Sequence, residues 1–264
     1  MPDIADIRNP AKQRLQAGEL TLGMIVRVSR SGDIARIAKS SGYDFLFIDI
    51  QHAIYSLETI SHIAQVALGC GITAMVRVRS CRDPDISVLL DGGITGIVFP
   101  DVNTADDARA GVNAARYAPI GRRSATSGYT LFDYAPVPQA EAISIMNRNT
   151  LVVCMIETVE GIANVEEIAA VEGIDVLLIG LTDLLTSMGK PGALGDPQAM
   201  AAVSRVAAAC KAHGKFFGVG GDGDPKRQAI YIEQGSQYIP TKTDAAFLMA
   251  AASSTSKELR ALKR

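Results

Sequence analysis

Short, continuous apolar runs alternate along this chain with longer stretches in which apolar residues recur every three or four positions. The runs read LTLGMIVRV, DFLFID, ITAMVRV, GIVFP, LVVCMI, IDVLLIG, KFFGVG and SQYIP. Continuous runs of this length fit strands buried on both faces, as in parallel sheets, and the wider spacing fits amphipathic helices. The helical stretches are GDIARIAKSSG, stopped by Gly42; SLETISHIAQVALGCG, capped by Ser56; Pro84 to Asp91; ADDARAGVNAARYA; one helix between LVVCMI and IDVLLIG; Pro197 to His213; PKRQAIYIEQG; and TDAAFLMAAASSTSKELRALKR. A polar leader with a helix around Pro10 to Ala17 precedes them. Eight such pairs predict a closed (β/α)8 TIM barrel. The expectation is one domain over residues 1–264, with a leader at 1–20 and a last helix at 243–264 used in oligomer contacts. An open doubly wound sheet is the runner-up, because pattern alone does not show closure.

A parallel arrangement places all strand C-termini on one edge, and that edge collects polar side chains. LVVCMI ends by delivering Glu157 and IDVLLIG ends by delivering Asp183. Two carboxylates converging there suit a hard divalent cation that keeps several waters, Mg²⁺ or Mn²⁺ before zinc, with Co²⁺ also admitted. The competing reading is capping: Glu157 precedes the helix near Val159, and within LTDLL either Thr182 or Asp183 can serve as a cap. Asp49 and His52 follow the second strand, Arg77 sits at the end of the third and Asp101 follows the fourth. A barrel would make all of these candidate catalytic groups. In VRVR the period of two puts Arg77 and Arg79 on one face, one turned to the site and the other to solvent.

Composition narrows the partners. The chain has 264 residues, 48% of them hydrophobic, enough for a large core. A net charge of −2 and a pI near 5.9, with no basic block, argue against nucleic acid or an anionic membrane as partner and for a small molecule. No stretch reads as a membrane span, a signal peptide or a transit peptide, which points to the cytoplasm. Cys70, Cys81, Cys154 and Cys210 lack metal-type spacing and read as reduced, structural thiols. GVGGDG matches GxGxxG, but Asp222 would repel a pyrophosphate, so the glycines read as a close backbone wall after the seventh strand. The connection from Tyr117 to Asn149 is too long for an ordinary loop. Its Arg122 and Arg123 either bind a second substrate carboxylate or form a solvated or subunit-contacting pair.

The runs FIDIQHA, MVRV, LLDGGITGIVFPDV, RYAPIGRR, MIETVEGIANVEEI and GIDVLLIGLTDLLTSMGKPG resemble, in order and spacing, the HpcH/HpaI aldolase family of metal-dependent class II pyruvate aldolases, from about Gly23 to Pro240. These belong with the phosphoenolpyruvate/pyruvate-binding barrels. The resemblance implies Glu157 and Asp183 as metal ligands, and His52 with Asp49 as a His/Asp dyad acting with a metal-bound water as acid and base. It implies Arg77 on the pyruvate ketone oxygen, and Asp91 of the LDxG motif in the site, across a subunit boundary or within one chain. Backbone groups at Leu181, Thr182 and Asp183 would hold the pyruvate carboxylate, with Gln51 beside the substrate. It also implies a trimer or hexamer with the last helix packed on a neighbour. The implied activity is cleavage of a 4-hydroxy-2-oxo acid to pyruvate and an aldehyde. The alternatives are decarboxylation of oxaloacetate through the same enolate, or a non-catalytic ligand-binding barrel. Each residue keeps a bland reading: His52 as a surface histidine, Asp91 as a partner of the Gly92–Gly93 turn. Five positions depart from the family pattern: Gln51 for a glutamate, Leu181 and Thr182 for a Pro-Asn pair, Leu185 for a serine and Arg79 for a proline. Arg79 is expected to add charge near the entrance and to suit an anionic or polar acceptor.

Overall fold

Each apolar run becomes a parallel strand: β1 (Thr21–Val26), β2 (Phe45–Asp49), β3 (Thr73–Arg77), β4 (Gly96–Phe99), β5 (Leu151–Ile156), β6 (Val176–Gly180), β7 (Phe216–Gly220) and β8 (Ser236–Thr243). This structure, a computed structural model, describes residues 7–262. Each strand pairs with its sequence neighbours and β1 pairs also with β8, so the sheet is a closed barrel and the open-sheet alternative is excluded. Closure leaves no unpaired strand edge. Helices surround the sheet: α1 (Pro10–Gln16), α2 (Asp33–Ser40), α3 (Leu57–Cys70), α4 (Ile86–Asp91), α5 (Ala105–Ala115), α6 (Gln139–Asn149), α7 (Val159–Ala163), α8 (Val165–Ala169), α9 (Leu181–Ser187), α10 (Pro197–Ala212), α11 (Pro225–Glu233) and α12 (Asp244–Ala261). Among them, no helix is long and apolar enough to cross a membrane.

Alternate strand positions point inward, and this period of two builds the interior. Phe45, Phe47, Met75, Val98, Leu151, Val153, Met155, Val176, Leu178 and Tyr238 form one buried cluster. Large rings fit because small residues face them. A Cβ on Gly23 would lie 2.1 Å from the Phe45 ring, and one on Gly96 would lie 2.7 Å from Met75. Phe45 stacks on Tyr238 with 4.5 Å between ring centroids. Ala11 and Leu15 of α1 close the N-terminal end of this column. Asn9, the N-cap of α1, bonds the backbone of Thr95 and Asn149 and the Thr73 hydroxyl, fastening that plug to the strands. At the opposite end the inward series turns polar.

Local structure departs from the sequence expectation in three places. The single helix expected between β5 and β6 is two short ones, α7 and α8, divided at Asn164, whose side chain donates to the Asn103 carbonyl. The stretch after β6 is helical, α9, an addition to the eight helices counted from the pattern, and it starts at Leu181, ahead of both cap candidates in LTDLL. The long connection contains α6 and a 3-10 turn at Thr130–Phe132, which bury Tyr117, Tyr129 and Phe132 in a satellite core. The last helix begins at Asp244; residues 1–6 and 263–264 of the expected leader and tail lie outside the described residues. All four cysteines are unpaired, and burial pushes the Cys154 thiol well above its usual range, which suits a structural thiol.

Candidate active site

The polar layer at the C-terminal end continues the inward series of several strands. On β2 the series Phe45, Phe47 ends at Asp49, and on β3 Thr73, Met75 ends at Arg77; the register sets Asp49 and Arg77 opposite each other. Asp49 is fully buried and accepts from Arg77 Nε at 3.0 Å and Nη2 at 2.6 Å, a bidentate pair. A second guanidinium, Arg27 just beyond β1, donates through Nε to Asp49 Oδ2 at 2.7 Å. Burial opposes charge on Asp49, but the hydrogen bonds and charges of Arg77 and Arg27 outweigh it and hold its pKa below the usual carboxylate range. Arg77 Nη1, 4.0 Å from Met155 Sδ, carries the N–H groups not spent on Asp49.

Across the mouth, Glu157 extends the inward series of β5. Its Oε1 accepts from the Asp101 backbone N–H at 2.8 Å, a donor aimed by the left-handed conformation of Asp101 (φ 53°). Its Oε2 is buried without a hydrogen-bond partner. Burial pushes the Glu157 pKa up to about 7, and the negative charges of Asp101 and Asp183 push the same way against the Asp101 N–H and Arg77. A Cβ on Gly180 would lie 2.4 Å from Glu157 Oε2, so the glycine ending β6 leaves the space that this oxygen faces. Glu157 does not cap its helix; Thr158 does, accepting from Gly161 N at 3.0 Å. Asp183 is exposed in the first turn of α9, and neither it nor Thr182 caps that helix.

These observations fit a divalent cation. A buried carboxylate oxygen without a partner faces space kept by a glycine, and a second carboxylate is near enough to raise its pKa. Among the described residues no group of three or more His, Cys, Asp or Glu forms a closed ligand shell. Two carboxylates alone suit a hard ion whose other positions are taken by water or substrate oxygens.

His52 stands exposed on the loop after β2. Asp49 Oδ1 accepts from the backbone N–H of Gln51 at 3.2 Å and of His52 at 3.3 Å. Asp49 therefore holds the peptide from which the His52 imidazole springs. Gln51 Nε2 reaches Asp101 Oδ2 at 3.5 Å, and its Oε1 is buried without a partner. Leu181, Thr182 and Asp183 form the first turn of α9, whose N–H groups have no intrahelical acceptor. Gly221 (φ +87°) backs onto them: a Cβ there would lie 3.2 Å from Thr182 N and 3.4 Å from Leu181 N. The glycines after β7 do form a close backbone wall. Leu185 is buried.

Other candidates stand elsewhere. Asp91 ends α4 at the N-terminal face, beside the start of β4, where Arg123 Nη2 donates to it at 2.5 Å. It does not join the site of its own chain. Arg123 is buried there with its guanidinium 4.6 Å from the Tyr117 ring, which rules out the substrate role within the chain for this residue. Arg122, its exposed neighbour, shares that end. A groove of about 830 Å³ lined by residues including Thr126, Tyr129 and Tyr134 lies under the same connection, remote from the acids. Arg79 is spent on Asp83 (2.7 Å from Nε) and on Asp85, so it is not available to an acceptor. Arg27 was missed by sequence reasoning, although it lies in the inward parity of Gly23 and Ile25 and directly follows a strand, the same signal that marked Arg77.

Known proteins resemble this chain in both sequence and fold. A 4-hydroxy-4-methyl-2-oxoglutarate aldolase of Hapsidospora irregularis is 38% identical over 215 residues, 81% of this chain and 80% of that protein. A hydroxypyruvate/pyruvate aldolase of Cupriavidus necator is 30% identical over 236 residues, 89% of this chain and 87% of that protein. Among solved structures, an HpcH/HpaI aldolase from Desulfitobacterium hafniense DCB-2 superposes with a TM-score of 0.90 at 28% identity, covering 96% of this chain and 97% of that one. The citrate synthase SbnG does so with a TM-score of 0.84 at 30% identity, covering 95% and 98%. A family model matches residues 23–239, and with these relatives it shows that the chain belongs to the HpcH/HpaI aldolase/citrate lyase family.

Proposed function

We propose that this protein is a divalent-metal-dependent carbon–carbon lyase that cleaves a 4-hydroxy-2-oxo acid to pyruvate and a second carbonyl compound through the pyruvate enolate. The observation that carries this reading is the partnerless Glu157 Oε2, kept beside Asp183 by the missing side chain of Gly180 and facing a mouth lined by Arg77. A cation held by Glu157 and Asp183, Mg²⁺ or Mn²⁺ by its oxygen donors, supplies Lewis-acid stabilisation of developing oxyanion charge. Arg77 adds a guanidinium that keeps its charge at working pH and is fixed before reaction by Asp49, so little reorganisation is needed. The first-turn N–H groups of α9 bind the 2-oxo acid's carboxylate in the space left by Gly221. His52 takes the proton of the C4 hydroxyl. The C3–C4 bond then breaks: its electron pair becomes the enolate, the C4 oxygen becomes the leaving carbonyl, and a proton returned to C3 makes the methyl of pyruvate.

Two names among the relatives support an acid-bearing substrate, the 4-hydroxy-4-methyl-2-oxoglutarate aldolases of Hapsidospora irregularis and Chaetomium globosum. The assembly is a homotrimer or hexamer joined through α12, which exposes Leu248 (66%), Met249 (66%) and Leu259 (64%). The unpaired cysteines are in keeping with a reducing, cytoplasmic setting. Exchange of the pyruvate methyl protons in D2O, followed by NMR, tests the enolate directly. Exchange that depends on Mg²⁺ or Mn²⁺ and is lost in EDTA is expected; exchange indifferent to EDTA overturns the metal role. Oxaloacetate turnover measured alongside hydroxy-oxo acid cleavage separates decarboxylation from aldol chemistry.

A further inference from the structure

We propose that Arg27, assisted by Lys242, binds a carboxylate on the fragment that departs, so that the preferred substrates are 4-hydroxy-2-oxo acids bearing a second carboxylate; this rests on the enolate reading above. In the closed strand order β1 stands diametrically across from β5, with Asp49 and Arg77 on the strands between. A 2-oxo acid anchored at Glu157, Asp183 and α9, with its ketone at Arg77, therefore extends its C4 end toward β1 and β2. His52 and Arg27 stand there.

The charges on that side leave a surplus cation. Asp49 is one carboxylate against two guanidinium groups, and Arg77 already takes it in bidentate fashion. Among the described residues the Arg27 side chain donates to Asp49 through Nε alone, and it is 38% exposed, so its Nη groups face the mouth with donors to spare. Such an edge matches a carboxylate. Lys242, at the top of the adjoining β8, is exposed and forms no hydrogen bond or ion pair among the described residues. Its Cε lies 3.6 Å from where a Cβ on Gly223 would sit, so the side chain stretches along the rim of the mouth.

The site is built and held. The backbone N–H groups of Arg27, Val28 and Ser29 all donate to the Asp244 carboxylate, at 3.0, 3.1 and 2.8 Å, which fixes the loop carrying Arg27. Other rim arginines are occupied. Arg79 is held by Asp83 and Asp85, and Arg30 bonds the Arg27, Ser29 and Ile54 carbonyls while lying 3.7 Å from the Tyr55 ring centroid.

The test compares kcat/KM for 4-hydroxy-4-methyl-2-oxoglutarate with that for 4-hydroxy-2-oxopentanoate, which releases an uncharged aldehyde. Because Arg27 also touches Asp49, the readout is the ratio of the two and not either rate alone. Wild type is expected to favour the dicarboxylate. Arg27→Met should lower the ratio roughly 30- to 100-fold, chiefly through KM of the dicarboxylate; Arg27→Lys should restore part of it, and Lys242→Met should lower it several-fold. An unchanged ratio in Arg27→Met overturns the proposal even if both rates fall together. Should Arg27→Met not fold, an unchanged ratio in both Arg27→Lys and Lys242→Met overturns it equally. Methyl-proton exchange of pyruvate by the wild type keeps the two levels apart: its absence overturns the enolate reading and this inference with it, whereas exchange with an unchanged ratio overturns the carboxylate subsite alone.

Discussion

Glu157 is the residue at which burial and chemistry conflict most directly. Burial raises its pKa to about 7, so between about pH 4.5 and 7 the folded protein holds a proton that the unfolded chain has released. Its favourable contribution is therefore full below the unfolded pKa and is lost as pH rises through 7. In metal-free protein at pH 8, Glu157→Gln is expected to be more stable than wild type by roughly 1–2 kcal/mol, with the difference vanishing near pH 4.5. Urea denaturation in EDTA at the two pH values measures this, and a variant less stable at pH 8 would refute the raised pKa. Adding Mn²⁺ at pH 8 should reverse the order, because the ion stabilises only the chain that keeps the carboxylate. Asp49 is the contrasting case, since two guanidinium groups keep it charged at equal depth.

At the scale of elements, two joints set the site. One is the β6–α9 turn, where Gly180 ends the strand and begins the helix without a side chain. Gly180→Ala would drive a Cβ into Glu157 Oε2. The expected result is an activity loss of about 100-fold or more with the metal-dependent rise in Tm abolished, at a folding cost of roughly 1–3 kcal/mol. Retention of the Tm rise would separate the glycine from metal binding. The other joint ties the start of α12 to the end of β1 through Asp244, whose three backbone donors help hold its pKa low although burial opposes this. Asp244→Asn should cost about 1–3 kcal/mol and speed hydrogen exchange at Arg27, Val28 and Ser29. Unchanged exchange there would show the loop to be held by something else.

At the scale of the molecule, α12 contrasts with the other long helices. Its only buried residue is Asp244, whereas α3 and α10 bury a full face against the barrel. An 18-residue helix that touches its own core mainly through the half-buried Phe247 leaves Leu248, Met249 and Leu259 to be covered by another surface. Leu248→Glu combined with Met249→Glu is expected to reduce the assembly to smaller species in light scattering while the circular dichroism of the barrel persists. An unaltered mass would remove α12 from the interface.

The barrel was legible because burial on both faces writes each strand as a continuous apolar run and strand-end polarity marks the open end: Asp49, Arg77, Glu157 and Asp183 all stand at C-terminal strand ends, as their positions foretold. Helices α6 and α9 are not among the eight read from the pattern, because both follow turns without a capping side chain; α6 packs in the satellite core, whereas Leu181 and Leu184 of α9 join the main one. What sequence alone determined is the alternation, and with it the order of strands and the inward parity of each polar residue, since both follow from a period the chain carries locally. Tertiary structure alone decided closure, which carries β1 round to β8 and brings Arg27 onto Asp49, and it separated Asp91 and Arg123 from the acids by the thickness of the barrel. The physical reason is that a charge's partners are set by distance in space, and spacing along the chain does not contain that distance.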